Sequence, residues 1–224
     1  MGLQIKHLLF DNDGTVVDSE IIAQRSMLDL LAVNGLQLDE KEYSQRFPGL
    51  LEREILQLLK IEHDFDAPPN FMADLHAMQI TGFEQSLRAI PGMTSLFRNL
   101  QMPKSMVSNG SIRHVRKCLN KVKLLSSVNG HIFSAEQVEK PKPHPDVYFL
   151  ALETLRLKAV EVIVVEDSPT GVKAAKSAGL QTIGFLGAAH LHDGHDKKLL
   201  DSGADHIAGD SRELARIFDS LGIQ

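Results

Sequence analysis

The chain has 224 residues, 43% hydrophobic and 24% charged, a globular composition that excludes a disordered or collagen-like polymer. Lys plus Arg number 24 against 29 for Asp plus Glu, a formal charge of -5, so no general positive field exists to attract nucleic acid. The single cysteine, Cys118, forms no intramolecular disulfide and no apolar run approaches the ~18 residues that span a bilayer, so a cytoplasmic protein without membrane partners is expected.

Taken in chain order, Ile5 to Phe10 is a short apolar run of strand length that ends abruptly in Asp11-Asn12-Asp13-Gly14. Residues 17–88 then change character. Ile22, Met27, Leu30, Leu31 and Val33 recur at helical spacing, as do Leu50, Leu51, Ile55, Leu58 and Leu59. Phe71, Leu75, Met78 and Phe83 do the same after the Pro68-Pro69 break. Strand-like runs return at 104–107, 131–133, 162–165 and 182–186, separated by helical spacing at 111–119, 146–155 and 169–178. Apolar strands without alternation, separated by helices, indicate a parallel sheet covered on both faces. The expected fold class is therefore α/β, with a core from 1–16 and 89–224 and a helical module from 17–88 inserted after the first strand.

The chemistry collects at the strand ends. Asp11 and Asp13 follow the first run, Ser108 and Asn109 the second, Glu166 and Asp167 the fourth. In a parallel α/β sheet the carboxyl ends of the strands form the ligand crevice. Four carboxylates there would repel one another unless a hard divalent cation joined them, and Mg²⁺ suits such a site.

The string Phe10 to Glu20 (FDNDGTVVDSE), with Ser108 to Gly110 (SNG), Lys142 to Asp146 (KPHPD) and Val164 to Gly171 (VVEDSPTG), resembles the four motifs of the haloacid dehalogenase superfamily in their usual order. The likeness is to its β-phosphoglucomutase-like phosphatase branch and covers essentially the whole chain. It implies a Rossmann-like core with an all-helical cap. It also implies a Mg²⁺-dependent phosphatase acting on a small-molecule phosphate ester such as a sugar phosphate. In that family's terms Asp11 is the nucleophile and Asp13 the general acid and base. The metal is held by Asp11, the Asp13 carbonyl, Asp167 and, directly or through water, Glu166. Ser108, the Asn109 amide and Lys142 grip the phosphoryl oxygens. Lys142, not Lys140, fits the family's Lys-Pro-x-Pro-Asp pattern. The cap loop through Arg46 and Gly49, with Arg53, resembles the family's specificity loop.

Two other readings compete. A phosphomutase of the same branch carries a cap histidine near the position of Ala23, and a phospho-receiver domain needs only about half this length. The His190, His192 and His195 cluster suggests a zinc site, but Gly194 stands where a metallo-β-lactamase motif needs Asp, so a surface loop is expected. A monomer is the default expectation.

Overall fold

The five strand-like runs form β1 (His7–Phe10), β2 (Lys104–Ser108), β3 (Ile132–Ser134), β4 (Val162–Glu166) and β5 (Gln181–Phe185). A sixth, β6 (His206–Ala208), is too short to carry a periodic signal in the sequence. In this computed structural model, which describes residues 4–47, 50, 52–128, 130–191 and 193–223, they make one parallel sheet ordered β3-β2-β1-β4-β5-β6. The chain runs outward from β1 through β2 to β3, then returns to β4 on the other side of β1. That reversal is a topological switch point, so the crevice opens beyond the carboxyl ends of β1 and β4. In register, Leu9 faces Ser105 of β2 and Val164 of β4.

Two compact units divide the chain, one of residues up to Asp18 and from Arg88 onward, the other Ser19–Leu87. The smaller unit is all-helical: α1 (Glu20–Val33), α2 (Glu40–Arg46), α3 (Glu52–His63) and α4 (Phe71–Ser86). The sequence reading lacks α2, whose EKEYSQR offers almost no apolar spacing. Asp39 starts it by accepting from the amides of Lys41 and Glu42. Met27, Leu31, Phe47, Ile55, Leu59, Phe71 and Leu75 are among the residues of this unit's own core. Val33 and Leu50, expected among its apolar faces, are exposed, and Leu51 lies outside the described residues.

In the larger unit the helices are α5 (Met93–Asn99), α6 (Ile112–Lys121), α7 (Asp146–Leu155), α8 (Pro169–Ser177), α9 (His195–Asp201) and α10 (Ser211–Ser220). Alternation along β1 sends Leu9 and Phe10 to opposite faces. Leu9 joins Val107 and Val164 beneath Val147 and Tyr148 of α7 and Ala174 and Ala175 of α8. The Phe10 ring meets Phe97 of α5 at 4.6 Å and Phe218 of α10 at 6.3 Å. The two segments leading to the helical unit run side by side: the Asp18 amide donates to the Arg88 carbonyl (3.0 Å) and the Ile90 amide to that of Val16 (3.0 Å).

α8 begins with Ser168 accepting from the Gly171 amide and Pro169 in the first turn. Gly171 is required by closeness, since a Cβ there would overlap the Glu166 carboxylate. Elsewhere in a helix, Gly→Ala gains about 1 kcal/mol. Here the sign should reverse: Gly171→Ala should lower the melting temperature. A variant more stable than the parent would refute this close approach.

Candidate active site

Asp11 stands where β1 ends, its amide donating to the Val165 carbonyl of β4 (3.0 Å). Gly14 turns the chain at φ 79°, and a Cβ there would overlap Oδ2 of Asp167. Only glycine combines that backbone with so small a volume. The next residue, Thr15, donates its hydroxyl to Asp167 Oδ1 (2.8 Å). The first strand end is thereby locked to the fourth.

Lys142 is buried at the centre of this arrangement. Its Nζ donates to Asp11 Oδ1 (2.8 Å), Glu166 Oε1 (2.7 Å) and the Val107 carbonyl (2.9 Å). An ammonium has three N–H groups, and all three are used. Asn109 fixes the lysine's backbone from both sides, accepting from the Lys142 amide at 3.0 Å and donating to its carbonyl at 3.2 Å. The other oxygen of Glu166 accepts from the amide and hydroxyl of Ser168, each at 2.9 Å. Burial pushes the Asp11 carboxyl well above the usual carboxylate range, with Glu166 and Asp13 adding to the shift and Lys142 opposing it.

Asp13 has a different setting. Its Oδ1 lies 3.0 Å from His114 Nε2 on α6, and Ser108 Oγ stands 3.5 Å from its Oδ2. Hydrogen bonds to Asp13 and Cys118 push the His114 imidazole up to about 10, against the effect of its burial. One proton is shared across this short contact between the imidazole and the Asp13 carboxyl.

Asp167 is also held from the C-terminal side. His195, the first residue of α9, donates from Nε2 to the Asp167 carbonyl (2.6 Å), and His190 Nε2 stands 3.9 Å from Asp167 Oδ2. The segment expected to be a surface loop is therefore packed on the acidic cluster, with His190 buried; His192 lies outside the described residues. Carboxylate oxygens of Asp11, Glu166 and Asp167 lie within 4.8 Å of one another. Three carboxyl groups face a single ammonium in a buried crevice. An all-oxygen, acidic donor set fits a hard divalent cation.

The strand-end residues named from the sequence thus come together, with two differences of detail. Lys142, expected on phosphoryl oxygens, has its N–H groups on protein acceptors. Glu166, expected at the metal, has one oxygen on Lys142 and the other on Ser168. Thr15, His114, Ser168, His190 and His195 are further members that motif reading missed. Thr15 sits inside the first motif, but the partners of the others depend on turns and helix phase. Arg46 closes α2 between Glu42 (2.7 Å) and Glu62, over the Phe47 ring at 5.0 Å, so its charge is already paired. Arg53 is exposed near the start of α3, and Gly49 lies outside the described residues.

The buried lysine makes a testable electrostatic case. Folding raises the Asp11 pKa, so Asp11 costs stability as pH climbs out of the usual carboxylate range, and Lys142 limits that cost. Lys142→Met should then destabilise the metal-free protein by about 3–5 kcal/mol near neutrality. The deficit should grow as pH rises above the ordinary carboxylate range. Denaturant unfolding in chelator measures it, and a deficit larger at pH 5 would contradict the arrangement.

Comparison with known proteins places the chain in a family. Residues 8–185 match the family of haloacid dehalogenase-like hydrolases. The 6-phosphogluconate phosphatase of Escherichia coli is 28% identical over 188 residues, 84% of this chain and 85% of that one. The phosphorylated carbohydrates phosphatase of Thermotoga maritima is 30% identical over 202 residues, covering 88% and 91%. A hydrolase of the same family from Deinococcus radiodurans, crystallised with bound phosphate and sodium, superposes with a TM-score of 0.89 at 30% identity, over 99% of this chain and 98% of that one. The chain belongs to the haloacid dehalogenase-like hydrolases.

Proposed function

We propose that the protein is a Mg²⁺-dependent phosphatase that hydrolyses a small phosphorylated carbohydrate through an aspartyl phosphate on Asp11. The observation that carries this reading is the split between two carboxylates two residues apart. Asp11 shares the Lys142 ammonium with Glu166, whereas Asp13 faces His114. Groups so close in sequence can divide nucleophilic and acid–base roles only when their surroundings differ. The names of the Escherichia coli and Thermotoga relatives support a phosphorylated sugar or sugar acid as substrate. The phosphate bound by the Deinococcus hydrolase supports a phosphate-bearing substrate.

In the proposed reaction an Asp11 oxygen attacks phosphorus while Asp13 gives a proton to the departing alcohol oxygen. Asp13 then takes a proton from the water that attacks the aspartyl phosphate, and free phosphate and Asp11 are regenerated. Lys142 opposes the burial that disfavours the Asp11 carboxylate and aims it, and with Asn109 it sets the position of the loop beyond β3. The Ser108 hydroxyl and Asn109 amide are the proposed donors to the phosphoryl oxygens. Asp11, the Asp13 carbonyl and Asp167 would hold Mg²⁺, with Glu166 contributing through its charge. Bound there, the ion neutralises repulsion between the Asp11 carboxylate and the anionic substrate. Leaving-group selection falls to residues 19–87, since the core groups address only features shared by every phosphate ester.

Asp11→Asn should abolish turnover with the fold intact, and Asp13→Asn should slow it by ~10²–10⁴. Chelation should remove activity reversibly. A panel of sugar and sugar-acid phosphates, scored for free phosphate against isomerised ester, separates this reading from a mutase. Near-native hydrolysis by Asp11→Asn, or isomerisation without phosphate release, would overturn it.

A further inference from the structure

Ser111 caps α6 by accepting from the His114 amide, and one helical turn beyond His114 lies Cys118. Residues four apart share a helix face, and here that face meets Asp13. His114 Nε2 is 3.0 Å from Asp13 Oδ1, and Cys118 Sγ is 3.5 Å from His114 Nε2. One donor atom from each residue falls within 4.8 Å of the other two. Cys118 is 2% exposed, while the side chains of His114 and Asp13 are 31% and 21% exposed. The sulfur is at the bottom, with the imidazole and the carboxylate nearer the opening.

We infer that Asp13, His114 and Cys118 form a second metal site, selective for a borderline-soft divalent ion of the zinc type, whose occupancy takes Asp13 out of acid–base work. The donor spacing is the first argument. Tetrahedral zinc with bonds of about 2.3 Å to sulfur and about 2.0 Å to nitrogen and oxygen sets N···O near ~3.3 Å and S···N near ~3.6 Å. The protein holds these two pairs at 3.0 and 3.5 Å, with the sulfur and the carboxylate oxygen within 4.8 Å of each other. Chemistry is the second argument. A thiolate and an imidazole favour zinc over magnesium, whereas the cluster of Asp11, Glu166 and Asp167 offers only oxygen. Three protein ligands leave a fourth position open toward the exposed side. Without metal, a proton on His114 bridges to Asp13; metal uptake expels it together with the thiol proton. The site stands on geometry alone, while its effect on turnover rests on the phosphatase reading.

The chain's only cysteine gives an unambiguous readout. The intact protein, saturated with Mg²⁺ and kept reduced, is titrated with Co²⁺. A sulfur-to-cobalt charge-transfer band at a single equivalent, bleached by Zn²⁺, is expected from wild type and absent from Cys118→Ser. His114→Gln should weaken Co²⁺ binding by more than the ~10–100-fold that losing an outer-shell partner costs a metal site. In the phosphatase assay Zn²⁺ should inhibit the wild type at concentrations that leave Cys118→Ser, otherwise equally active, unaffected. A wild-type protein without the band, a measurement needing no variant, overturns the site. Equal Zn²⁺ inhibition of both proteins overturns its role in turnover. A band in a protein that hydrolyses no ester upholds the site and refutes the phosphatase reading instead.

Discussion

A single buried ammonium organises the catalytic end of the sheet. Burying a charge costs several kcal/mol unless its geometry and hydrogen bonds compensate, and Lys142 satisfies that condition with the Asp11 and Glu166 carboxylates and the Val107 carbonyl. Those three acceptors stand at the ends of β1, β4 and β2, so one cation ties together three adjacent strands. The requirement spreads outward. Asn109 clamps the lysine's backbone, Ser168 occupies the free oxygen of Glu166, and Gly171 leaves room for that carboxylate.

The same economy explains how two aspartates of one turn come to differ. Asp11 is buried beside the ammonium, and Asp13 meets the His114 imidazole on α6, a side chain partly open to solvent. The sheet's switch point supplies the crevice, but helix phase and loop packing decide which neighbour each carboxylate receives. Environment, not residue type, separates their chemistry.

Much of this was legible in the sequence because it depends on short-range order. Unalternating apolar runs mark buried parallel strands, and the polar residues ending them fall at one edge of the sheet by topology alone. The inserted helical unit announced itself by a change of period. What stayed hidden depends on distance along the chain. Nothing about Lys142 reveals that its N–H groups are consumed by Asp11 and Glu166, 131 and 24 residues away. His114 looks like a helix surface residue until the phase of α6 is known, and His190 and His195 look like loop decoration. The short elements α2 and β6 also escaped, since seven and three residues carry too little period to register.

The grip of His195 on the Asp167 carbonyl has a consequence for how this protein's lineage varies. The family match ends at residue 185, whereas His190 and His195 follow it. Two side chains touching the fourth motif thus come from a stretch outside the region that defines the family. Length or composition changes between β5 and α9 would reshape the surroundings of Asp167 while every shared motif stayed intact. A change in that connection alters the setting of a deeply buried carboxylate from outside the strand ends that carry the chemistry.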